Sequence, residues 1–353
     1  MNRDFWRGRR VFLTGHTGFK GSWLTQWLTL DGAHVTGYAL PPPSDPSLFA
    51  DARLAEHMES ISGDVRDLDS LSAALQSARP EIVVHMAGQA LVRGSYNEPV
   101  GTYATNVMGT VNVLEAIRRT PTVRVALMVT SDKCYENSTA HAGRPFREDD
   151  PLGGRDPYAS SKACAELVTT AYRSSFFAAP QQQSPRIASV RAGNVIGGGD
   201  WATDRLIPDL VRAFREERPA LIRNPAATRP WQFVLDALHG YRKAIESLYG
   251  RDDLPHAWNF GADEARPVRW LADAMVRRWG GSAAWHTEDG DHPHEAPTLA
   301  LDSSLAKETL QWKPLIDSET TIQWTTDWYK RRLAHESAAG LMSEQIARFE
   351  ERA

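Results

Sequence analysis

The fold is decided at Arg10-Val-Phe-Leu-Thr-Gly15-His-Thr-Gly18-Phe-Lys-Gly21-Ser-Trp-Leu-Thr-Gln-Trp-Leu-Thr-Leu30, which reads as a strand, a turn with a glycine at every third position, and a helix. Small residues let a backbone approach a ligand closely, and the first turn of a helix presents N–H groups and a positive dipole to an anion. The stretch therefore predicts a dinucleotide site at the start of the chain's first βα unit. The residues predicted to bind the cofactor here are Gly15, Thr17, Gly18, Phe19 and Gly21.

The second predicted strand is Ala33-His-Val-Thr-Gly-Tyr38. Dinucleotide folds that take NAD often place an acidic residue at the end of this strand to hold the ribose 2′-hydroxyl. This chain continues with Ala-Leu-Pro-Pro-Pro43 and offers neither an acid nor an arginine there. The strand therefore leaves the choice between NAD and NADP open.

A link that contains Asp64 and Val65 follows and supplies two further candidate cofactor residues. Asp64 either accepts a hydrogen bond from an adenine amino group or caps a helix that begins near Leu68. Asp67 suits the capping role better because it directly precedes that helix.

Two more cofactor contacts are predicted at the ends of later elements. The buried-type strand over 81–88 ends in small residues, which bring Ala87 close to the cofactor, and a loop is predicted over 89–96. Asn106 falls in the middle of a helix predicted over 99–119. It is either a tolerated polar residue or the mark of a kink near the site.

The candidate catalytic groups follow the apolar strand Val125-Ala-Leu-Met-Val-Thr130: Ser131-Asp132-Lys133, and later Tyr158-Ala-Ser-Ser-Lys162. A tyrosine four residues before a lysine shares its helical face, where the ammonium can lower the phenol pKa. By itself this spacing is more often a half-buried ring beside a solvated lysine. Ligands bind at the carboxyl ends of strands in open α/β sheets, so we predict that Tyr158 takes a substrate hydroxyl proton near neutral pH.

The second half of the chain loses the regular alternation of strands and helices. A polar stretch over 136–156 has no periodicity and is predicted to be a substrate-facing loop. Further strands are predicted over 186–191, before Asn194, and over 258–261, with a helix over 208–217 and a strand passing into a helix over 229–236. Tryptophans in the tail are assigned to packing: Trp270, Trp279, Trp312, Trp324 and Trp328.

These patterns predict an α/β fold, a Rossmann-type doubly wound parallel sheet with a smaller mixed α/β C-terminal substrate-binding domain. Residues 1–192, together with roughly 230–260, are assigned to the cofactor domain, and residues 193–229 and 261–353 to the substrate domain.

Composition limits the class of partner. The chain has 353 residues, 42% of them hydrophobic, and a net charge of −4, so it can bury a full core and offers no footprint for nucleic acid or an anionic membrane. Its two cysteines, Cys134 and Cys164, are interpreted as reduced, and no metal site is predicted. No signal peptide or long apolar stretch is found. We expect a cytoplasmic protein with a small-molecule partner.

Taken together, these stretches resemble the extended short-chain dehydrogenase/reductase family of nucleotide-sugar enzymes. The glycine turn, the Ser131, Tyr158 and Lys162 set and Asn194 after a strand carry the likeness to the family. Within the family, the chain resembles the 4,6-dehydratases, and the likeness runs from about Val11 to Trp328. The segments that carry it are Gly15 to Gly21, Ser131 to Asn137, Leu152 to Tyr158, and His294 to Ala296.

The resemblance implies a tightly bound NAD that is recycled in each turnover and CDP-D-glucose as the substrate. It implies that Tyr158 and Lys162 contact the cofactor, that Tyr158 takes the proton of the 4-hydroxyl and that Ser131 holds the C4 oxygen. Protonated Asp132 would be the acid for the departing 6-hydroxyl. Lys133 stands where dTDP-glucose relatives carry Glu, and is either the base for the C5 proton or a stabiliser of the enolate.

The resemblance also implies the residues that bind the substrate, Asn194 and Arg229 at the diphosphate, with Arg205, His294 and Glu295 nearby. It further implies a homodimer, formed through a four-helix bundle by the helices over 99–119 and 157–175.

Three alternatives are a nucleotide-sugar 4-epimerase, a 4,6-dehydratase for another nucleotide hexose, and a catalytically silent protein that senses the cofactor. Asp132 and Lys133 argue against the epimerase, because epimerisation needs no acid and base for elimination. The Tyr158 and Lys162 pair argues against the sensor. The nucleotide base follows from the resemblance alone.

Overall fold

The computed structural model describes residues 2–137, 143–178, 184–287 and 299–353. Its strands are β1 (Arg10–Thr14), β2 (His34–Ala39), β3 (Glu59–Ser62), β4 (Ile82–His85), β5 (Val125–Val129), β6 (Arg186–Ala192), β7 (Val195–Ile196), β8 (Ala220–Ile222), β9 (Thr228–Arg229), β10 (Gln232–Phe233), β11 (Ala257–Phe260), β12 (Arg266–Pro267) and β13 (Trp285–Thr287).

The α-helices are α1 (Arg3–Trp6), α2 (Phe19–Leu30), α3 (Leu48–Asp51), α4 (Leu68–Ala78), α5 (Val92–Asn97), α6 (Pro99–Tyr103), α7 (Gly109–Arg118), α8 (Pro157–Tyr172), α9 (Leu206–Arg215), α10 (Val234–Gly250), α11 (Val268–Trp279), α12 (Ser304–Leu310), α13 (Ser318–Leu333) and α14 (Ala338–Glu350). Short 3₁₀ turns span Leu54–Glu56 and Asp132–Cys134, and π-helical turns span Ala104–Met108 and Arg173–Phe177. Among the described residues, no helix combines the length and the apolarity needed to cross a bilayer.

Seven strands form one parallel sheet in the order β11-β6-β5-β4-β1-β2-β3. Parallel strands are buried on both faces, and successive side chains point to opposite sides. In β5, Val125 and Leu127 pack into one hydrophobic core, whereas Ala126 and Met128 pack into the other. The strand order reverses between β1 and β4, and such a switch point opens a crevice for ligands at the carboxyl ends of the strands.

The predicted fold class is confirmed by this sheet and its covering helices. Smaller strand pairs lie in the second half of the chain: β7 with β10, β8 with β13, and β9 with β12. Strand β11 returns to the main sheet beside β6. The division of the chain into two domains at residue 192 stays a prediction.

Several element predictions are confirmed and one is wrong. Asp67 caps α4 through the backbone N–H groups of Asp69 and Ser70. The loop predicted over 89–96 contains the helix α5 and is the wrong one; the helix predicted over 99–119 runs from Pro99 to Arg118 and has a π-helical turn at Asn106, the position at which a kink was one of the two interpretations. Of the tail tryptophans, Trp312, Trp324 and Trp328 are buried, and Trp270 and Trp279 pack partly buried against the same core.

Candidate active site

The glycine turn between β1 and α2 fits a dinucleotide because its three glycines meet different constraints. Gly15 has φ +76°, and a Cβ there would lie 2.6 Å from the backbone nitrogen of Ala87. A Cβ on Gly21 would lie 2.1 Å from the carbonyl oxygen of Gly15. Gly18 has φ −81°, and its Cβ would meet only ordinary contact, 3.4 Å from the Gly15 oxygen. The protein's own packing therefore requires glycine at 15 and 21 but not at Gly18, the N-cap of α2, whose contact with a ligand's phosphates stays a prediction.

Thr17 follows β1, and Asp64 and Val65 follow β3, each after the carboxyl end of a parallel strand. The Thr17 hydroxyl donates to the carbonyl of Leu40 at 2.9 Å. Hydrogen bonds from Arg66 hold the pKa of the Asp64 carboxyl below its ordinary value. Val65 is buried against α7, where a Cβ on Gly109 would lie 2.8 Å from the Val65 Cγ2. Phe19, the first residue of α2, is half-buried against the core. Their contacts with a cofactor stay predictions.

Asn106 fixes the loop after β4 to the helix that carries the candidate catalytic tyrosine. It sits in the π-helical turn, where its Oδ1 accepts from the Gln89 backbone N–H at 2.9 Å. Its Nδ2 donates to the Gln89 carbonyl at 3.0 Å and to the Ser161 hydroxyl at 2.8 Å. A Cβ on Gly88 would lie 2.9 Å from the Asn106 Oδ1 and 3.2 Å from the Lys162 Nζ. Asn106 therefore lies beside Lys162 and positions α8.

Ala87 is held against the glycine turn by the polar end of β1. The Thr14 hydroxyl oxygen accepts from the Ala87 N–H at 3.2 Å and lies 2.8 Å from the His85 Nδ1. Burial, with the charge of Lys162, lowers the pKa of His85 to about 3, so this imidazole is neutral. Thr14, His85 and Ala87 therefore form an uncharged, hydrogen-bonded support beside the glycine turn.

Ser131, Asp132 and Tyr158 form the centre of the site. The Ser131 hydroxyl donates to the Asp132 Oδ1 at 2.9 Å, and a hydrogen bond also joins Ser131 to Tyr158. Asp132 is only 3% exposed, and its Oδ2 has no hydrogen-bond partner among the described residues. A Cβ on Gly193 would lie 2.0 Å from that Oδ2, so only glycine leaves room for this carboxyl. One carboxyl oxygen is thus committed to Ser131 and the other is available.

The pKa relation predicted for Tyr158 and Lys162 is wrong for the protein by itself. Burial raises the pKa of Tyr158 to about 12, although the hydrogen bond with Ser131 and the charge of Arg205 lower it. Burial likewise lowers the pKa of Lys162 to about 8. Removal from water disfavours phenolate and ammonium alike, and this effect exceeds the attraction expected from their helical spacing.

The remaining predicted residues differ in exposure and in hydrogen bonding. Lys133 is partly exposed on the 3₁₀ turn after Ser131, and no partner of its ammonium is found in the described part of the chain. Arg205 donates to the Asp200 Oδ2 at 3.1 Å, and its charge reaches Tyr158. Asn194 has φ +50°, and its buried Nδ2 finds no acceptor among the described residues.

Arg229 is buried on β9, and its Nη1 donates to the carbonyl of Thr228 at 2.9 Å. His294 and Glu295 fall outside the described residues, so their predicted contacts with substrate stay predictions.

Two side chains that the sequence analysis did not place in the site are Lys20 and Tyr241. Lys20 is the second residue of α2, and its Nζ donates to the Tyr241 hydroxyl of α10 at 3.3 Å. Burial lowers the pKa of Lys20 to about 7; the charges of Lys162 and Arg205 lower it further, and that of Asp132 raises it. The position of Lys20 inside a turn of small residues is a feature of the sequence that could have indicated a place near the site. No comparable feature of the sequence indicates Tyr241.

Comparison with known proteins gives matches along nearly the whole chain. The sequence profile of the family described as GDP-mannose 4,6 dehydratase matches residues 12–325. CDP-glucose 4,6-dehydratase of Salmonella typhimurium is 49% identical over 335 residues, which cover 94% of this chain and 93% of that protein. UDP-glucose 4-epimerase of Mycolicibacterium smegmatis is 25% identical over 326 residues, 92% and 99% of the two chains.

Solved structures share the fold. UDP-glucuronic acid 4-epimerase from Bacillus cereus, in complex with UDP-glucuronic acid and NAD, matches with a TM-score of 0.78 at 22% identity and covers 91% of this chain and 99% of its own. dTDP-glucose 4,6-dehydratase from Bacillus anthracis, in complex with NAD, matches with a TM-score of 0.74 at 19% identity, with coverages of 92% and 97%.

Proposed function

This chain belongs to the GDP-mannose 4,6-dehydratase family, within the extended short-chain dehydrogenases/reductases, and from that premise we propose that it is an NAD-dependent lyase. It converts CDP-D-glucose to CDP-4-dehydro-6-deoxy-D-glucose and water. The observation that carries the proposal is the buried Asp132, which is hydrogen-bonded through Ser131 to Tyr158 and keeps one carboxyl oxygen free. An epimerase has no use for an acid at that place.

The cofactor residues of this chain fit NAD. When bound, NAD accepts a hydride from C4, returns it at C6 and brings a positive charge that lowers the pKa of a neighbouring phenol. Gly18 and the first N–H groups of α2 would hold the pyrophosphate, and Asn106 fixes the loop after β4 at Gln89. The solved relatives that contain NAD support this cofactor.

The proton steps fall to the residues at the end of β5. Tyr158 accepts the proton of the 4-hydroxyl, and Ser131 donates a hydrogen bond that positions the C4 oxygen. A 4-keto group acidifies the C5 hydrogen, so a base can remove it. Asp132, in its protonated form, then gives a proton from its free oxygen to the departing 6-hydroxyl, which leaves as water. Lys133 is either the C5 base or a positive group that stabilises the enolate.

Three described residues are proposed to hold the nucleotide. The unpartnered amide nitrogen of Asn194 is available to a phosphate oxygen, and a guanidinium offers bidentate contacts, so Arg205 and Arg229 bind the diphosphate. Likeness to the Salmonella enzyme supports CDP as the nucleotide.

The proposed assembly is a homodimer through α6, α7 and α8. Apolar side chains are exposed on α6, on α8 and on the π-helical turns that follow them: Val100 (77%), Tyr103 (37%), Met108 (51%), Leu167 (58%) and Phe176 (51%). Helices α6 and α8 pack side by side, so two copies can bury these side chains in a four-helix bundle.

A cytoplasmic location is also proposed. Its support is that Cys134 and Cys164, the two cysteines of the chain, form no disulfide.

The experiment that tests the function is incubation of the purified protein with CDP-, dTDP-, UDP- and GDP-glucose. We expect a 4-keto-6-deoxy product, seen by its absorbance in alkali and by the loss of water in the mass spectrum, with CDP-glucose consumed fastest. Release of a 4-epimer with no loss of water would contradict the dehydratase. Faster turnover of another nucleotide would contradict the base assignment and leave the reaction standing.

A further inference from the structure

Two segments leave the sheet on either side of β5, the strand that is followed by Ser131 and Asp132. In the sheet, β4 pairs with β5 on one side and β6 pairs with it on the other. The segment over 86–97, here called the β4 arm, follows β4, and the segment over 193–205, the β6 arm, follows β6. Neighbouring strands lie about 4.8 Å apart, so the two arms begin roughly 10 Å from each other. The space above the end of β5 therefore lies between them.

The β4 arm is fixed to the catalytic helix α8 at two places. A Cβ on Gly88 would lie 3.2 Å from the Lys162 Nζ. Farther along the arm, the buried Ser95 hydroxyl oxygen of α5 accepts from the Tyr158 backbone N–H at 3.1 Å. Arg93 lies between these two places, in the first turn of α5. Its backbone is therefore held at a defined position relative to Tyr158.

The β6 arm begins against the candidate acid. A Cβ on Gly193 would lie 2.0 Å from the Asp132 Oδ2. The other end of the arm contains Asp204, which has φ +58° and directly precedes Arg205. The Arg205 guanidinium donates to the Asp200 Oδ2 at 3.1 Å, which holds this end of the arm together. Asp204 is thus attached to a segment that starts at the acid and ends at a residue proposed to bind the diphosphate.

An ion pair joins the two arms. The Arg93 Nη1 donates to the Asp204 Oδ1 at 3.1 Å, and each of the two side chains is 42% exposed. Because the arms start on opposite sides of β5, this contact bridges the cleft between them. Exposed ion pairs stabilise a structure only weakly, so this one can break and re-form as molecules enter and leave.

We propose that Arg93 and Asp204 are positioning residues that close the active site over the bound nucleotide hexose and retain its 4-keto intermediate until water has been eliminated. The inference rests on the proposed dehydratase function and deepens it. Between loss of the C4 hydride and its return at C6, the hexose is held by noncovalent contacts alone. An intermediate that escapes leaves its hydride behind and ends the cycle, and closure of a site prevents such losses.

Direct binding of a phosphate by Arg93 is the competing interpretation, and the two roles differ in what Asp204 does. If Arg93 binds a phosphate, Asp204 competes for the guanidinium, so Asp204→Asn should tighten substrate binding. If the pair closes the cleft, Asp204→Asn should release the intermediate as readily as Arg93→Gln does. Asparagine tolerates a positive φ, so this substitution keeps the backbone conformation at position 204.

The first test measures how often a turnover is lost. Arg93→Gln, Asp204→Asn and the double variant are mixed with CDP-glucose, and the nicotinamide left reduced is divided by the 4-keto-6-deoxy product formed. We expect this ratio to rise by about two- to fivefold in each single variant, the factor that an exposed pair supplies. The double variant should show the same rise, because either substitution removes the same contact.

The control is Asp253→Asn, which breaks an exposed ion pair with Arg251 after α10 and should leave the ratio at the wild-type value. Salt gives a second measurement on the same proteins. Between about 0.1 and 1 M ionic strength the ratio should rise in the wild type, because salt screens exposed charges. In the variants, which lack the pair, the ratio should not change with salt.

Several outcomes would overturn the proposal. An unchanged ratio with lower thermal stability would show that the pair only holds the fold together. Tighter binding of CDP-glucose by Asp204→Asn would assign Arg93 to the substrate, and additive effects in the double variant would mean two separate roles. If the wild type dehydrates CDP-glucose and these results are found, the function stands and the inference is wrong. If the wild type neither reduces its cofactor nor dehydrates any nucleotide hexose, both are wrong.

Discussion

The phenol of Tyr158 is buried, and burial raises its pKa to about 12. Two neighbours work against burial, since the Ser131 hydrogen bond and the Arg205 charge both lower that pKa. Further positive charge is needed before the phenol loses its proton at neutral pH, and a cationic cofactor ring is the source that the proposed reaction offers. In the proposed function, ionisation of Tyr158 would therefore depend on the bound cofactor.

Replacement of the phenol tests that statement. Tyr158→Phe keeps the ring and removes the proton acceptor, so C4 oxidation should slow by about 10²- to 10⁴-fold, the range for general base catalysis. The measurement is rapid-mixing absorbance of reduced nicotinamide after CDP-glucose is added. Tyr172→Phe, on the same helix, is the control and should leave the rate unchanged. Equal rates in wild type and Tyr158→Phe would remove this tyrosine from the mechanism.

At the scale of elements, the turn between β1 and α2 contains one glycine that the fold requires, Gly21, and one that is proposed to serve ligand binding, Gly18. A Cβ on Gly21 would penetrate the Gly15 carbonyl at 2.1 Å, whereas one on Gly18 would not crowd the protein. We expect Gly21→Ala to lower the free energy of unfolding by about 1–3 kcal/mol. Gly18→Ala should cost no more than about 1 kcal/mol but weaken NAD binding at least about tenfold, because backbone proximity to the pyrophosphate is lost. Urea unfolding measures the stability of each variant, and NAD titration measures its affinity for the cofactor. A Gly18→Ala variant that loses stability but keeps its NAD affinity would contradict the ligand assignment.

Helix α8, which carries Tyr158 and Lys162, is anchored to the sheet by a buried ion pair. Glu166 of α8 accepts from the Arg191 Nε of β6 at 2.9 Å and from its Nη2 at 2.8 Å. It also accepts from the hydroxyls of Ser189 and Thr130. Strand β6, the residue that follows β5 and helix α8 thus share one carboxylate, which fixes the position of Tyr158 and Lys162 relative to the sheet.

Loss of the guanidinium leaves a buried charge unpaired. Arg191→Met should lower the free energy of unfolding by about 3–5 kcal/mol. Arg331→Met, which breaks an exposed pair with Glu336 and Glu344, should cost no more than about 1 kcal/mol. Urea unfolding of both variants measures the difference. Similar losses would mean that the α8 pair is no more important than a surface pair.

The same pair gives stability a defined pH dependence. Although burial raises it, the hydrogen bonds and charge of Arg191 hold the pKa of Glu166 below its ordinary value. A depressed carboxyl pKa stabilises the fold above the unfolded value of about 4.3, and this contribution is lost as pH falls through the folded pKa. In Arg191→Met this loss below pH about 4 should disappear from the stability profile.

At the scale of the whole molecule, the apolar side chains around α6 and α8 give the proposed dimer a test. Leu167 is 58% exposed on α8, and Leu167→Arg places a charge in the bundle interface. We expect dissociation to monomers in analytical ultracentrifugation with little change in thermal unfolding of the monomer fold. Leu221→Arg, at a residue equally exposed on β8, is the control. A wild-type monomer, or a dimer unaffected by Leu167→Arg, would contradict this interface.

The sequence by itself determined the fold class, the glycine turn and the residues at the end of β5. These follow from local rules: glycine where no side chain fits, apolar strands of the length that parallel sheets bury, and polar residues directly after a strand. Asp67 as a helix cap and a break near Asn106 are predictable for the same reason, because each depends on neighbours close in the chain.

Only the tertiary structure decided what depends on groups far apart in the chain. Lys20 and Tyr241 are separated by 221 positions and meet at 3.3 Å, and no spacing in the sequence brings them together. The predicted lowering of the Tyr158 pKa is wrong because helical spacing indicates only the attraction of Lys162, whereas burial by distant elements imposes the larger cost on the charged phenolate. Periodicity is local, but desolvation is a property of everything packed around a group, and it is known only when the chain has folded.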